Sequence, residues 1–91
     1  MEHQRKYRVA ALQFEPEHGA KARNLDCLAE MMREAAAGGA KLIVTPEMAT
    51  VGIFWQHREH IAAQVEPIPG STTDFFANLA CELDIYMVIG M

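Results

Sequence analysis

Residues 35–52 read AAAGGAKLIVTPEMATVG, and the passage changes character twice. Its alanines are strong helix formers, and the paired glycines Gly38 and Gly39 follow at once, where glycine accepts the left-handed backbone that commonly closes a helix. Leu42, Ile43, Val44 and Thr45 then form a β-branched, apolar run that suits a strand. Pro46 stops that run, because it donates no backbone hydrogen bond and holds Thr45 extended. A helix end, a tight glycine turn and a buried strand that delivers Glu47 at its carboxyl end form the core of a βαβ unit.

The flanking sequence completes this unit. Upstream, residues 20–37 place Leu25, Leu28, Ala29, Met32 and Ala36 on one helical face, with Asp26, Glu30, Arg33 and Glu34 off it, which predicts an amphipathic helix. Residues 7–14 (YRVAALQF), bounded by charges before and by Glu15 and Pro16 after, predict a largely buried first strand. Two strands joined through a helix this closely are expected to lie parallel in one sheet. Downstream, residues 52–60 (GIFWQHREH) have no clean period and read mostly as loop, with room for a short helix running to about Ala63. Pro67, Pro69 and Gly70 mark a turn, and Ser71 and Asp74 have capping-box spacing ahead of Phe75, Phe76, Leu79, Ala80 and Leu83. Residues 85–91 (IYMVIGM) predict a third buried strand. The class is α/β, in the order strand, helix, strand, helix, strand. Such a terminal strand needs partners at its edges and cover on its faces, so the native polypeptide is expected to extend past Met91.

Composition narrows the function. The chain has 91 residues, enough for one small core and too few for two domains. Eight Lys and Arg against twelve Asp and Glu give a net charge of -4, with no basic stripe beyond Arg5, Lys6 and Arg8, which argues against nucleic acid as a partner. The apolar runs are of strand length and no signal-peptide core follows the N-terminal basic residues, so neither a membrane span nor a leader is expected and the cytoplasm is the expected compartment. Cys27 and Cys81, without CxxC or metal-like spacing, suggest neither a disulfide framework nor a zinc site.

Glu47 is the strongest candidate for chemistry. In parallel sheets the carboxyl rim of the strands is where ligands bind, and a carboxylate held there, partly screened from water, is suited to general-base work. The plainer reading is a strand-end acid that faces solvent or caps a helix. The wider sequence bears on that choice: residues 9–14 (VAALQF), residues 35–52 and residues 68–90 (IPGSTTDFFANLACELDIYMVIG), in that order and spacing, resemble the nitrilase superfamily of carbon-nitrogen hydrolases. Gly39, Pro46, Glu47 and Gly52 match its most specific segment. The match covers nearly the whole chain but only about the first third of a family domain, so residues 1–91 are expected to be the N-terminal fragment of a single such domain.

The resemblance implies an αββα sandwich and a Glu, Lys, Cys site that hydrolyses small-molecule amides or nitriles through a covalent thioester. It also implies a homo-oligomer and no metal or organic cofactor. Only the glutamate maps onto this chain, as Glu47, and the chain alone is expected to be inactive. Lys41 lies at the opposite end of the strand, about 20 Å away at the usual rise per residue. Cys27 and Cys81 sit off the apolar stripes of their helices and away from any strand-end turn, so both read as structural. Phe54 and Trp55 fall where relatives line the pocket entrance and are candidate substrate contacts, with packing against a neighbouring helix as the alternative. His57 and His60, with Glu59 between, lack a third ligand and the HExxH order, and read as a surface helix. Gln13 reads as a hydrogen-bonded sheet residue, and Gly38 and Gly39 end a helix where a phosphate cradle would open one. Two rival functions are a truncated, non-catalytic binding or assembly module of the same fold, and the first half of a doubly wound nucleotide-binding domain. The latter lacks a GxGxxG or P-loop after the first strand.

Overall fold

A computed structural model describes residues 6–52, 58–62 and 64–91. The elements run β1 (Arg8–Ala11), α1 (Lys21–Ala37), β2 (Ala40–Val44), α2 (Arg58–Ala62), α3 (Ser71–Leu83) and β3 (Tyr86–Val88). The three strands form one parallel sheet in the order β1-β2-β3. Val9 and Ala11 pair with Leu42 and Val44, which pair in turn with Tyr86 and Val88. The fold is mixed α/β, as expected for the N-terminal part of the nitrilase-type sandwich.

The core lies between the sheet and one helical layer. Leu28 and Met32 of α1, Ile43 of β2, and Phe76 and Leu79 of α3 are buried together, with Ala10, Leu12, Met87 and Ile89 packed at the margin. Phe75 and Phe76 meet edge to face with ring centroids 5.2 Å apart, a geometry aromatic quadrupoles favour. Gly39 closes α1 at φ 97°, with its N–H on the Ala36 carbonyl at 2.9 Å. Asp84, also left-handed at φ 53°, ends α3 and turns the chain into β3.

The expectation of largely buried outer strands is corrected. Tyr7 and Val9 are 65% and 61% exposed, and Tyr86 and Val88 are 80% and 55% exposed. The physical reason is alternation: successive strand side chains point to opposite faces, and the described helices cover only one of them. The first and third strands are also shorter than the apolar runs that announced them, and exposed Gln13 lies beyond β1, outside the ladder. A short helix does occur before Ala63, as α2.

The start of α3 departs from expectation by one residue. Gly70 is the N-cap, and the Thr73 hydroxyl accepts from the Gly70 N–H at 2.7 Å and donates to its carbonyl at 2.9 Å. Ser71 and Asp74 therefore do not form the capping box. Glu66 meets the remaining amide demand, accepting from the Thr72 N–H at 2.6 Å, the Thr72 hydroxyl at 2.7 Å and the Ser71 hydroxyl at 3.1 Å. Lys21 completes the set at 2.9 Å and also donates to the Gln64 carbonyl, so one carboxylate ties α3 to the start of α1. The Thr72 amide, followed by the Thr72 hydroxyl and Lys21, holds the Glu66 carboxyl at about 2, against the partial burial that opposes it.

Candidate functional site

Glu47 opens a turn, residues 47–51, that leaves the carboxyl end of β2. Each side of this turn is fixed by a different element. From β3, the Val88 carbonyl accepts from the Thr45 N–H at 3.0 Å, the Gly90 carbonyl accepts from the Ala49 N–H at 2.8 Å, and the Gly90 N–H donates to the Thr45 hydroxyl at 2.8 Å. The approach is so close that a Cβ on Gly90 would lie 2.1 Å from the Pro46 carbonyl oxygen and 2.8 Å from Glu47 Cα. Only glycine fits beside the Pro46–Glu47 peptide as it stands.

From α1, the Asn24 carboxamide reaches the same turn. Its Nδ2 donates to the Thr50 carbonyl at 2.9 Å and to the Glu17 carbonyl at 2.8 Å, and its Oδ1 accepts from the Glu17 N–H at 2.8 Å. The turn closes on itself through Met48, whose carbonyl accepts from the Gly52 N–H at 2.9 Å and the Val51 N–H at 3.3 Å. Met48 takes φ 52°, a conformation that costs an L-residue about 1–2 kcal/mol and persists where the surroundings impose it. Ala49, Thr50 and Val51 are buried, at 0%, 2% and 4% exposure. The inner side of the turn is thus packed and hydrogen-bonded, while Glu47 itself is exposed. The partial screening considered for this carboxylate is not found among the described residues.

Glu47 borders a cleft of about 410 Å³ whose other walls include Phe14, Glu15, His18 and Gly52. Gly52 takes φ 87°, and a Cβ there would stand 3.4 Å from His18 Cα, so this glycine lets the loops after β1 and β2 meet. The Gly19 N–H donates to the Val51 carbonyl at 3.1 Å and joins the same two loops. On the other side of the turn, Met48 borders a second cleft of about 240 Å³ that also meets Lys21, Glu66 and Ile68. Glu47 thus stands at the carboxyl rim of the parallel sheet, beside the first cleft.

The remaining candidates are not brought to this cleft. Lys41 is exposed near the amino end of β2, away from Glu47. Cys81 is exposed on α3, and Cys27 is half-buried on α1. His60 lies on α2, while Phe54, Trp55 and His57 fall outside the described residues. Among the described residues there is no group of three or more His, Cys, Asp and Glu side chains placed to hold a metal ion. No described helix is long and apolar enough to cross a membrane.

Sequence reasoning missed Asn24 and Gly90. Asn24 announced itself only as a polar residue one and two turns before Leu28 and Met32 on the inward face. Gly90 entered only as part of the apolar run of residues 85–91. Neither feature forms a motif, because both act by long-range contact with main chain.

Comparison with known proteins agrees with this architecture. The carbon-nitrogen hydrolase family pattern matches residues 8–91. A protein named nitrilase from Pyrococcus abyssi (strain GE5 / Orsay) is 31% identical over 84 residues, covering 91% of this chain and 32% of its own length. The chain thus spans about a third of the length of the curated relative it matches. It belongs to the carbon-nitrogen hydrolase family, in the nitrilase superfamily, and represents an N-terminal portion of that domain.

Proposed function

We propose that the protein carrying these residues hydrolyses a non-peptide carbon-nitrogen bond of a small amide or nitrile, with Glu47 as general base. The observation that carries the reading is the mounting of Glu47. An exposed carboxylate at the carboxyl end of a parallel strand borders a cleft, on a turn whose main chain is held by α1 and by the exit of β3. Family membership supplies the reaction class.

In this reading Glu47 takes the proton of a cysteine thiol as the sulfur attacks the amide carbon. A lysine and a backbone N–H stabilise the tetrahedral oxyanion. The proton passes from Glu47 to the leaving amine, giving ammonia or an amine and a thioester. Glu47 then deprotonates water as it attacks the thioester, and returns that proton to the thiolate as the acid is released. The cysteine and lysine come from the remainder of the same domain, outside residues 1–91. Phe54 and Trp55, outside the described residues, remain the candidate substrate contacts that the family resemblance suggests; the protein works in the cytoplasm, and copies of it associate through their helices.

The test uses the intact native polypeptide, with ammonia release measured from propionamide, benzamide and benzonitrile. Glu47→Gln removes the base while keeping the size of the side chain, so folding should be preserved and turnover should fall at least 100-fold, the scale of general-base catalysis. Turnover retained by Glu47→Gln would overturn the base assignment. An absence of ammonia from any probe with the wild-type protein would favour a non-catalytic binding module.

A further inference from the structure

We propose that Asn24 is a positioning residue for Glu47, acting by pinning the loops after β1 and β2 to α1 so that both walls of the cleft keep one spacing. The proposal rests on the reading of Glu47 as the base.

Asn24 occupies an unusual place. It lies one turn before Leu28 and two before Met32, on the inward stripe of α1, where an apolar residue would serve packing. Asparagine is also a mediocre residue for a helix interior. Yet Asn24 is only 2% exposed, and its amide meets three backbone partners at 2.8–2.9 Å. Two belong to Glu17, in the loop after β1, and the third is the carbonyl of Thr50, in the Glu47 turn. Both loops line the 410 Å³ cleft, the first through Glu15 and His18 and the second through Glu47 and Gly52.

The chemistry of the side chain matters as much as its size. Glu17 offers an N–H and a carbonyl, and Thr50 offers a carbonyl, so the site requires one acceptor and two donors on a short planar group. An aspartate would set an oxygen against two carbonyl oxygens, and an alanine would take away the amide donor that reaches the buried Thr50 carbonyl and the acceptor of the Glu17 N–H. Either change loosens the registration of one wall against the other. Misplacement of a reacting group by about 1 Å is enough to cost on the order of 100-fold in rate.

The experiment compares Asn24→Ala, Glu47→Gln and Leu79→Ala in the intact polypeptide, on whichever of the three probes the wild type hydrolyses fastest. Leu79 is buried in α3 at 4% exposure and does not border the cleft, so Leu79→Ala reports lost stability alone. All are assayed at a temperature where circular dichroism shows them folded. The expected result is a 10- to 100-fold fall in kcat for Asn24→Ala with KM changed far less, the signature of an interaction that matters in the transition state. Leu79→Ala should keep both constants within about twofold of wild type, as should any purely structural loss below the unfolding transition. If Asn24→Ala does not fold, Asn24→Ser, which keeps one hydrogen-bonding group, is read in its place. Failure of both to fold overturns the proposal in favour of a structural role. So does an Asn24 variant that behaves like Leu79→Ala while Glu47→Gln is inactive, which leaves the base assignment standing. Retained turnover in Glu47→Gln removes the base assignment itself, and the positioning role with it.

Discussion

Replacing Gly90 by alanine probes the Glu47 mounting by adding a single methyl group. In the present backbone that methyl would stand 2.1 Å from the Pro46 carbonyl oxygen and 2.8 Å from Glu47 Cα. A comfortable carbon-oxygen contact is about 3.3 Å, so the two segments must part by about 1.2 Å. Neither side is a flexible side chain that can swing aside. The separation also strains the Ala49 N–H to Gly90 carbonyl bond and the Gly90 N–H to Thr45 hydroxyl bond, each 2.8 Å long. Overpacking of this kind costs about 1–3 kcal/mol, and each weakened hydrogen bond adds about 0.5–1.5 kcal/mol. The sum is about 2–6 kcal/mol, a large part of the total stability of an ordinary domain. Urea unfolding of the intact polypeptide, followed by circular dichroism, is the assay, with Gly38→Ala as the control. At Gly38, φ is -79° and an added Cβ meets carbonyl oxygens at 3.4 and 3.7 Å, so alanine there is expected to be neutral or slightly stabilising. A Gly90→Ala midpoint equal to that of Gly38→Ala would refute the argument that close main-chain approach holds this turn.

Two further outcomes follow from the packing around the turn. Leu28→Ala, at a core position with no exposure, should destabilise the protein by about 2–5 kcal/mol in the same urea assay. Glu66 should make stability acid-sensitive: its folded-state pKa of about 2 lies below the ordinary 4.5, so the unfolded chain takes up the proton first as pH falls. Its contribution is fully present above about 4.5 and is lost between there and about 2. The difference in thermal midpoint between wild type and Glu66→Gln should therefore be widest near neutrality and shrink across that window.

Where one periodicity dominated, the sequence was readable. The four-residue recurrence of Leu28 and Met32 and the glycines after Ala37 located α1 closely, and the β-branched run before Pro46 located β2. The outer strands were legible as strands but not as edges, since a continuous apolar run such as residues 85–91 looks the same whether one face or both are covered. Tyr86 and Val88 therefore read as core and lie exposed. The capping of α3 was misplaced because Ser71 and Asp74 satisfied the local pattern, while the group that meets the amide is Glu66, six residues before Thr72 and across two prolines. The strand-end position of Glu47 was legible because a proline fixed the end of its strand. Asn24 and Gly90 were not, because the main-chain atoms they meet, the Thr50 carbonyl and the Pro46 carbonyl, lie 26 residues away in the first case and 44 in the second, and a main-chain partner leaves no complementary residue type to find.

That division between side chain and main chain bears on how the site is built. Tyr7, Val9, Tyr86 and Val88 form an exposed apolar face of the sheet, the face that a second sheet would cover in the sandwich the family resemblance implies, and an apolar sheet face is stabilised by such cover. The residues holding the Glu47 turn lie on the other side of the sheet or at its rim. Asn24 works from α1, and Gly90 and Thr45 work along the strand exits. Cover for the open face can therefore be added without disturbing the hydrogen bonds that set Glu47. The backbone bearing the carboxylate is held by contacts within these residues, and in the proposed reading the groups that meet the carboxylate come from the remainder of the domain. In that reading the strand-end turn against which those groups are aligned is set by contacts that do not involve them.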